Sequence, residues 1–216
     1  MSFDLVIFDC DGVLVDSERI SNRVLAQCLT EVGLSTSTEE SIRDYMGRSM
    51  GGCLEIIEAR LGRPVPEGWV EDFRARVDTE FRRDLRPVPG VEAALDGIDL
   101  PCCVASSSRP QRIRTSLEIT GLIDRFEGRL FSASEVPRGK PHPDVFLLAA
   151  RRMNAEPARC AVVEDSPLGV QAGAAAGMAV FGFARDSDAD VLAGHGARVF
   201  REMNELPGLL FAPGVE

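Results

Sequence analysis

A short apolar run, Leu5-Val6-Ile7-Phe8, ends abruptly in Asp9-Cys10-Asp11-Gly12. An apolar run of that length without polar alternation predicts a parallel strand buried on both faces. The pattern then turns helical. Ile20, Val24, Leu25, Cys28, Leu29 and Val32 follow helical spacing as far as Gly33, which predicts a helix opened by Ser17-Glu18. Glu39 to Met46 and Cys53 to Leu61 predict two more helices, each bounded by glycine. Trp69, Phe73, Val77 and Phe81 recur every four residues and predict the inner stripe of a fourth. Those aromatics read as core packing. No β-rich run interrupts residues 17–86, so this stretch predicts a small helical bundle inserted after the first strand.

From Pro87 the pattern changes again. Apolar runs at Cys102–Ser106, Arg129–Ser132, Cys160–Glu164, Ala179–Phe183 and Ala197–Phe200 predict strands. Helical stretches lie between them, among them Pro143–Met153 and Pro167–Ala176. Such alternation predicts an α/β fold: a parallel sheet with right-handed crossovers. Pro87-Val88-Pro89-Gly90 marks the seam where the chain re-enters that sheet.

Composition narrows the partners. With a net charge of −10 and a pI near 4.8, the chain lacks the basic surface that a nucleic-acid partner requires. A small anionic substrate needs only local positive charge and stays open. No apolar stretch approaches the roughly 20 residues of a membrane span, and Asp4 and Asp9 break any signal-like core at the N-terminus. The expectation is a cytoplasmic protein with no membrane partner; the sequence does not encode an oligomeric state, and a monomer is the default. The six cysteines form no C-x-x-C pair and no zinc spacing with His142 or His195. Buried free thiols in a reducing compartment are expected, with Cys10 turned into the core by strand alternation.

The candidate chemistry lies at strand ends, where ligands bind in open α/β sheets. Asp9 and Asp11 project from the first strand toward the same side, and Gly12 lets the chain turn beside them. Carboxylates held so close repel unless a cation or a shared proton relieves them. Ser106-Ser107-Ser108-Arg109 ends a second strand with hydroxyls and the start of a helix, a candidate phosphate cradle. Gly139-Lys140-Pro141 carries the only lysine among 24 basic residues. A composition that uses arginine everywhere else kept a compact ammonium at one place. Glu164-Asp165-Ser166-Pro167 ends another strand in paired acids, hard oxygen ligands suited to Mg²⁺. Together these supply nucleophile, cation site, anion cradle and charge neutraliser, the set phosphoryl transfer needs.

Asp9-x-Asp11-Gly12, Ser106, Lys140-Pro141 and Glu164-Asp165, in this order, resemble the motifs of the haloacid dehalogenase superfamily, in its β-phosphoglucomutase-like phosphatase branch. The resemblance spans essentially the whole chain. It implies a Rossmann-like core of residues 1–16 and 87–216, with helices on both sheet faces, and an inserted helical cap of residues 17–86. It implies that Asp9 attacks phosphorus to form an aspartyl-phosphate and that Asp11 moves the proton. Ser106 and Lys140 would hold the phosphoryl oxygens. Mg²⁺ would sit on Asp9, the backbone carbonyl of Asp11 and Asp165, with Glu164 nearby. The implied activity is hydrolysis of small phosphate monoesters of sugars, sugar acids or polyols. A mutase is the runner-up, because the mutase subgroup carries histidine on the first cap helix where this chain has Ser21. A metal-independent dehalogenase and a phosphate-accepting receiver domain fit less well, given Asp11 with Glu164-Asp165 and the helical insert. Substrate choice falls to the cap, where Arg48 and Ser49 lie between two helices, and to Ser107 and Arg109 beside Ser106.

Overall fold

The computed structural model describes residues 2–211. Chain up to Val15 and from Pro87 onward forms one compact unit, and Asp16–Arg86 forms a second. The first unit is built on six parallel strands: β1 (Leu5–Phe8), β2 (Cys102–Ser106), β3 (Leu130–Ser132), β4 (Cys160–Glu164), β5 (Ala179–Phe183) and β6 (Arg198–Phe200). Their order across the sheet is β3-β2-β1-β4-β5-β6. The chain therefore steps to one side of β1 and then to the other, which makes the ends of β1, β2 and β4 the switch point of the sheet.

The second unit holds α1 (Glu18–Glu31), α2 (Thr38–Tyr45), α3 (Met50–Leu61) and α4 (Trp69–Asp84). Ile20, Val24, Leu25, Cys28 and Leu29 are buried along α1, and Trp69, Phe73, Val77 and Phe81 along α4, as their spacing predicts. Trp69 and Phe73 stack with ring centroids 6.2 Å apart. A polar pin ties α1 to α2: Ser41 Oγ donates to Asn22 Oδ1 at 2.9 Å, with both side chains buried. Ser37 caps α2 through a reciprocal box with Glu40, a pairing that satisfies two N–H groups at the helix start.

The remaining helices return to the sheet: α5 (Val91–Asp96), α6 (Pro110–Ile119), α7 (Asp144–Arg152), α8 (Pro167–Ala175), α9 (Ala189–Gly194) and α10 (Leu206–Phe211). Leu5, Ile7, Cys103, Ala105, Cys160 and Val162 form one buried layer with Val145, Phe146 and Ala149 of α7 and Val170 and Ala172 of α8. The alternate residues Val6, Phe8, Val104, Ala161 and Val163 are buried as well, so the central strands are apolar throughout. Cys10 is fully buried and burial holds its thiol well above the ordinary range. All six cysteines are free thiols, and Cys102 alone is only half-buried. Among the described residues no helix is long and apolar enough to cross a membrane.

Two glycines exist because neighbours leave no room for a methyl group. Gly12 has φ +81°, and a Cβ there would lie 2.1 Å from Asp165 Oδ2. Gly169, in the first turn of α8, faces Glu164 so closely that a Cβ would come within 1.9 Å of its carboxyl. Alanine is the better helix former by about 1 kcal/mol, yet overpacking of a rigid site costs about 1–3 kcal/mol. Glu164 is fully buried and has nowhere to retreat. Gly169→Ala is therefore expected to lower stability by about 1 kcal/mol or more in urea denaturation, despite its gain in helix propensity. Unchanged or raised stability would show that α8 can slide away at no cost.

Candidate functional site

Sheet register assembles the site. Phe8 pairs with Val104 on one side and Val163 on the other. Asp9, one residue further, is thereby level with Ala105 and Glu164, and its N–H donates to the Val163 carbonyl at 3.0 Å. Lys140 comes from the loop before α7. That loop is closed by His142 N–H donating to Gly139 O at 3.0 Å and by a paired contact between Arg138 and Asp144 at 2.9 and 3.2 Å.

The Lys140 ammonium has three hydrogens and three acceptors. It donates to Asp9 Oδ1 at 2.6 Å, to Glu164 Oε1 at 2.5 Å and to the Ala105 carbonyl at 3.2 Å. Side-chain exposure is 5% for Lys140, 9% for Asp9 and 1% for Glu164. The ammonium also lies 4.9 Å from the Phe146 ring centroid. Burial works against the lysine charge, but Asp9 and Glu164 outweigh it and hold its pKa above the ordinary lysine value. Burial pushes the Asp9 carboxyl up, to about 7; Lys140 opposes this, while the charges of Glu164 and Asp11 add to it.

Glu164 is held from its other oxygen too. Its Oε2 accepts from Ser166 N–H at 3.1 Å and Ser166 Oγ at 3.0 Å, and the same hydroxyl caps α8 by accepting from Gly169 N–H at 3.1 Å. Asp9, Glu164 and Asp165 each offer a carboxylate oxygen, and those oxygens lie within 4.8 Å of one another. A hard divalent cation fits this set, since the donors are all oxygen and one ammonium faces three acids.

Asp11 stands apart from that cluster. Its Oδ2 accepts from Ser108 Oγ at 2.7 Å, and its Oδ1 from Arg112 at 3.2 Å. Ser106, at the end of β2, is 1% exposed, and its Oγ accepts from Ser108 N–H at 3.1 Å. Ser132 Oγ donates to the Ser108 carbonyl at 2.7 Å, so the whole turn after β2 is tied to β3. Ser107 and Arg109 are exposed, with Arg109 at the N-cap position of α6. In the other unit Arg48 is exposed and its Nε donates to the Asp44 carbonyl at 3.0 Å, while Ser49 caps α3 by accepting from Gly52 N–H at 3.2 Å.

Ser108 and Arg112 are contacts of Asp11 that the strand-end motifs do not announce. A signal was present for Arg112. Pro110 sits at the first position of α6, which makes Arg112 the third residue of a helix. A cation there opposes the helix dipole and needs a compensating anion.

Comparison with known proteins follows the same lines. The chain is 32% identical over 212 residues to 6-phosphogluconate phosphatase of Escherichia coli, covering 98% of this chain and 96% of that protein. Its fold is similar to the crystal structure of a conserved haloacid dehalogenase-like protein of unknown function from Agrobacterium tumefaciens, with TM-score 0.87, 36% identity and coverage of 97% and 98%. A haloacid dehalogenase family hydrolase from Deinococcus radiodurans, solved with bound phosphate and sodium, is similar at TM-score 0.80 and 30% identity, with coverage of 98% and 99%. The family model for haloacid dehalogenase-like hydrolases matches residues 3–177, and the chain belongs to that family.

Proposed function

We propose that the protein is a Mg²⁺-dependent phosphatase that hydrolyses small phosphate monoesters, of sugars, sugar acids or polyols, through an aspartyl-phosphate on Asp9. The observation that carries this reading is the buried Lys140 bridge between Asp9 and Glu164, beside Asp165 and the hydroxyl-bearing end of β2. Lys140 aims and neutralises Asp9, leaving one carboxylate oxygen to act as nucleophile. In the first step an Asp9 oxygen attacks phosphorus, the bond to the alcohol oxygen breaks, and the proton of Asp11 passes to that oxygen. In the second, Asp11 takes a proton from water, whose oxygen attacks phosphorus and releases phosphate from Asp9. Ser106, Lys140 and the start of α6 would receive the phosphoryl oxygens. The cation, held by Asp9, Asp165 and the backbone carbonyl of Asp11 with Glu164 nearby, would supply neutralisation of phosphoryl charge.

The named phosphatase relative and the phosphate-bound neighbour support the substrate class. Ser21, in place of the mutase histidine, supports water as the final acceptor. We assign substrate choice to the Asp16–Arg86 unit as a cap, with Arg48 and Ser49 as its candidate contacts and Ser107 and Arg109 as those of the core. A reducing, cytoplasmic compartment suits the six free thiols, and a monomer is the default assembly.

Exhaustive EDTA treatment is expected to abolish phosphate release from sugar phosphates, and added Mg²⁺ to restore it. Persistent full activity after chelation would end the metal-dependent reading.

Asp9→Asn is nearly isosteric and cannot be phosphorylated. Turnover should fall to background while the thermal melt still shows a folded protein; near-native kcat would rule out the aspartyl-phosphate route.

Lys140→Arg keeps the charge but brings a planar fork to a pocket built for three donors from one nitrogen. It is expected to lose roughly 10²-fold in kcat/KM through displacement of Asp9 by about an ångström. Steady-state kinetics within a few-fold of the parent would show that charge alone suffices.

A further inference from the structure

Asp11 and Asp9 lie two residues apart in the chain, and each is held by groups that do not bond the other. Asp9 meets an ammonium. Asp11 meets a hydroxyl on one oxygen and a guanidinium on the other, at 2.7 and 3.2 Å. Asp and Asn have broad, roughly two-fold preferences at the last side-chain torsion, so a carboxyl does not aim itself. Two donors on its two oxygens fix its plane. Both donors come from the α6 end of the sheet: Ser108 from a turn pinned by Ser106 and Ser132, Arg112 from the first turn of the helix. The side chains of Arg112 and Asp11 are 25% and 16% exposed, so the pair is only partly screened by water.

We propose that Arg112, together with Ser108, is a positioning residue that aims the Asp11 carboxyl at the leaving-group oxygen. This rests on the reading of Asp11 as the proton donor. The chemistry is that of the first step above: Asp11 loses a proton, the alcohol oxygen gains it, and negative charge appears on Asp11 as the phosphorus–oxygen bond breaks. The guanidinium of Arg112 holds that carboxyl in one orientation throughout, and alignment of the reacting groups is what speeds the step. Its location also explains why a cation is tolerated at the dipole-positive end of α6.

The test separates proton donation from binding and from folding. An alkyl phosphate needs its leaving oxygen protonated; p-nitrophenyl phosphate does not, because its phenolate leaves unaided. kcat/KM reports steps through phosphorylation of Asp9, so both substrates probe the same event. Arg112→Met is expected to lower kcat/KM for glycerol phosphate or a hexose phosphate by roughly 10²-fold, and for p-nitrophenyl phosphate by less than about 3-fold. Arg112→Lys should recover part of the alkyl phosphate rate. Ser108→Ala should show the same leaving-group dependence at smaller amplitude, and it guards against a folding defect in the arginine variant. Equal losses on both substrates, or none on either, would overturn the proposal. Asp11→Asn is run alongside. If it shows the leaving-group split and Arg112→Met does not, the positioning role alone is wrong. If Asp11→Asn shows no split, the proton-donor reading fails and takes the positioning role with it.

Discussion

Lys140 brings a full positive charge to the C-terminal edge of the sheet, and much of the surrounding arrangement follows from having to satisfy it there. Removing an ammonium from water costs several kcal/mol, and nearby carboxylates repay this only when geometry and further hydrogen bonds are good. Here all three hydrogens have acceptors: Asp9, Glu164 and the Ala105 carbonyl. Glu164 in turn takes two donors from Ser166. One ammonium among Asp9, Glu164 and Asp165 still leaves an excess of negative charge, which burial turns into pressure on the Asp9 carboxyl. The same excess opposes an approaching phosphoryl group, so on the proposed reading a bound cation and the substrate would be coupled through electrostatics.

That charge cluster reaches into the backbone. Ser166 serves Glu164 and caps α8 with the same hydroxyl, so the helix starts where the carboxylate needs a donor. Gly169 follows because the carboxylate occupies the space of its missing methyl, and Gly12 follows because Asp165 does the same on the other side. Neither glycine has chemistry of its own. Each is dictated by an acid fixed in place by the register of β1 against β2 and β4.

The fold was largely legible because its elements obey a single periodicity each. Strands β1, β2, β4 and β5 are uninterrupted apolar runs, and the aromatic stripe Trp69-Phe73-Val77-Phe81 is an unbroken four-residue repeat that is buried in α4. The two terminal helices of six residues, α9 and α10, are too short to show such a pattern. At the site, residues at strand ends could be found from sequence since a strand end is visible as the point where apolar residues stop. The lone lysine was visible as a departure from an otherwise arginine-only composition. Arg112 carried one signal, a cation in the first turn of a helix opened by Pro110, but its partner, 101 positions away, was hidden. The pairing of Glu164 with Lys140 was equally hidden: adjacent acids at a strand end do not disclose which one turns inward. Glu164 closes β4 at full burial, and Asp165, one residue on, is half-exposed.

Two aspartates with the same side chain, two residues apart, need different behaviour if one is to attack and the other to move a proton. Their difference has to come from what surrounds them. Asp9 is enclosed and faces an ammonium together with two further acids, so its charge is locked into a cluster that favours a cation. Asp11 is less buried and is held from the α6 side by a hydroxyl and a guanidinium, outside the three-acid group. The turn at Gly12, open only to a residue without a Cβ, lets the chain leave the strand quickly enough for this separation. Ending β1 at Phe8 therefore does more than stop a strand. It gives two identical carboxyl groups different partners, even though the charge of Asp11 still raises the Asp9 carboxyl, and different partners are what the proposed division into nucleophile and proton carrier requires.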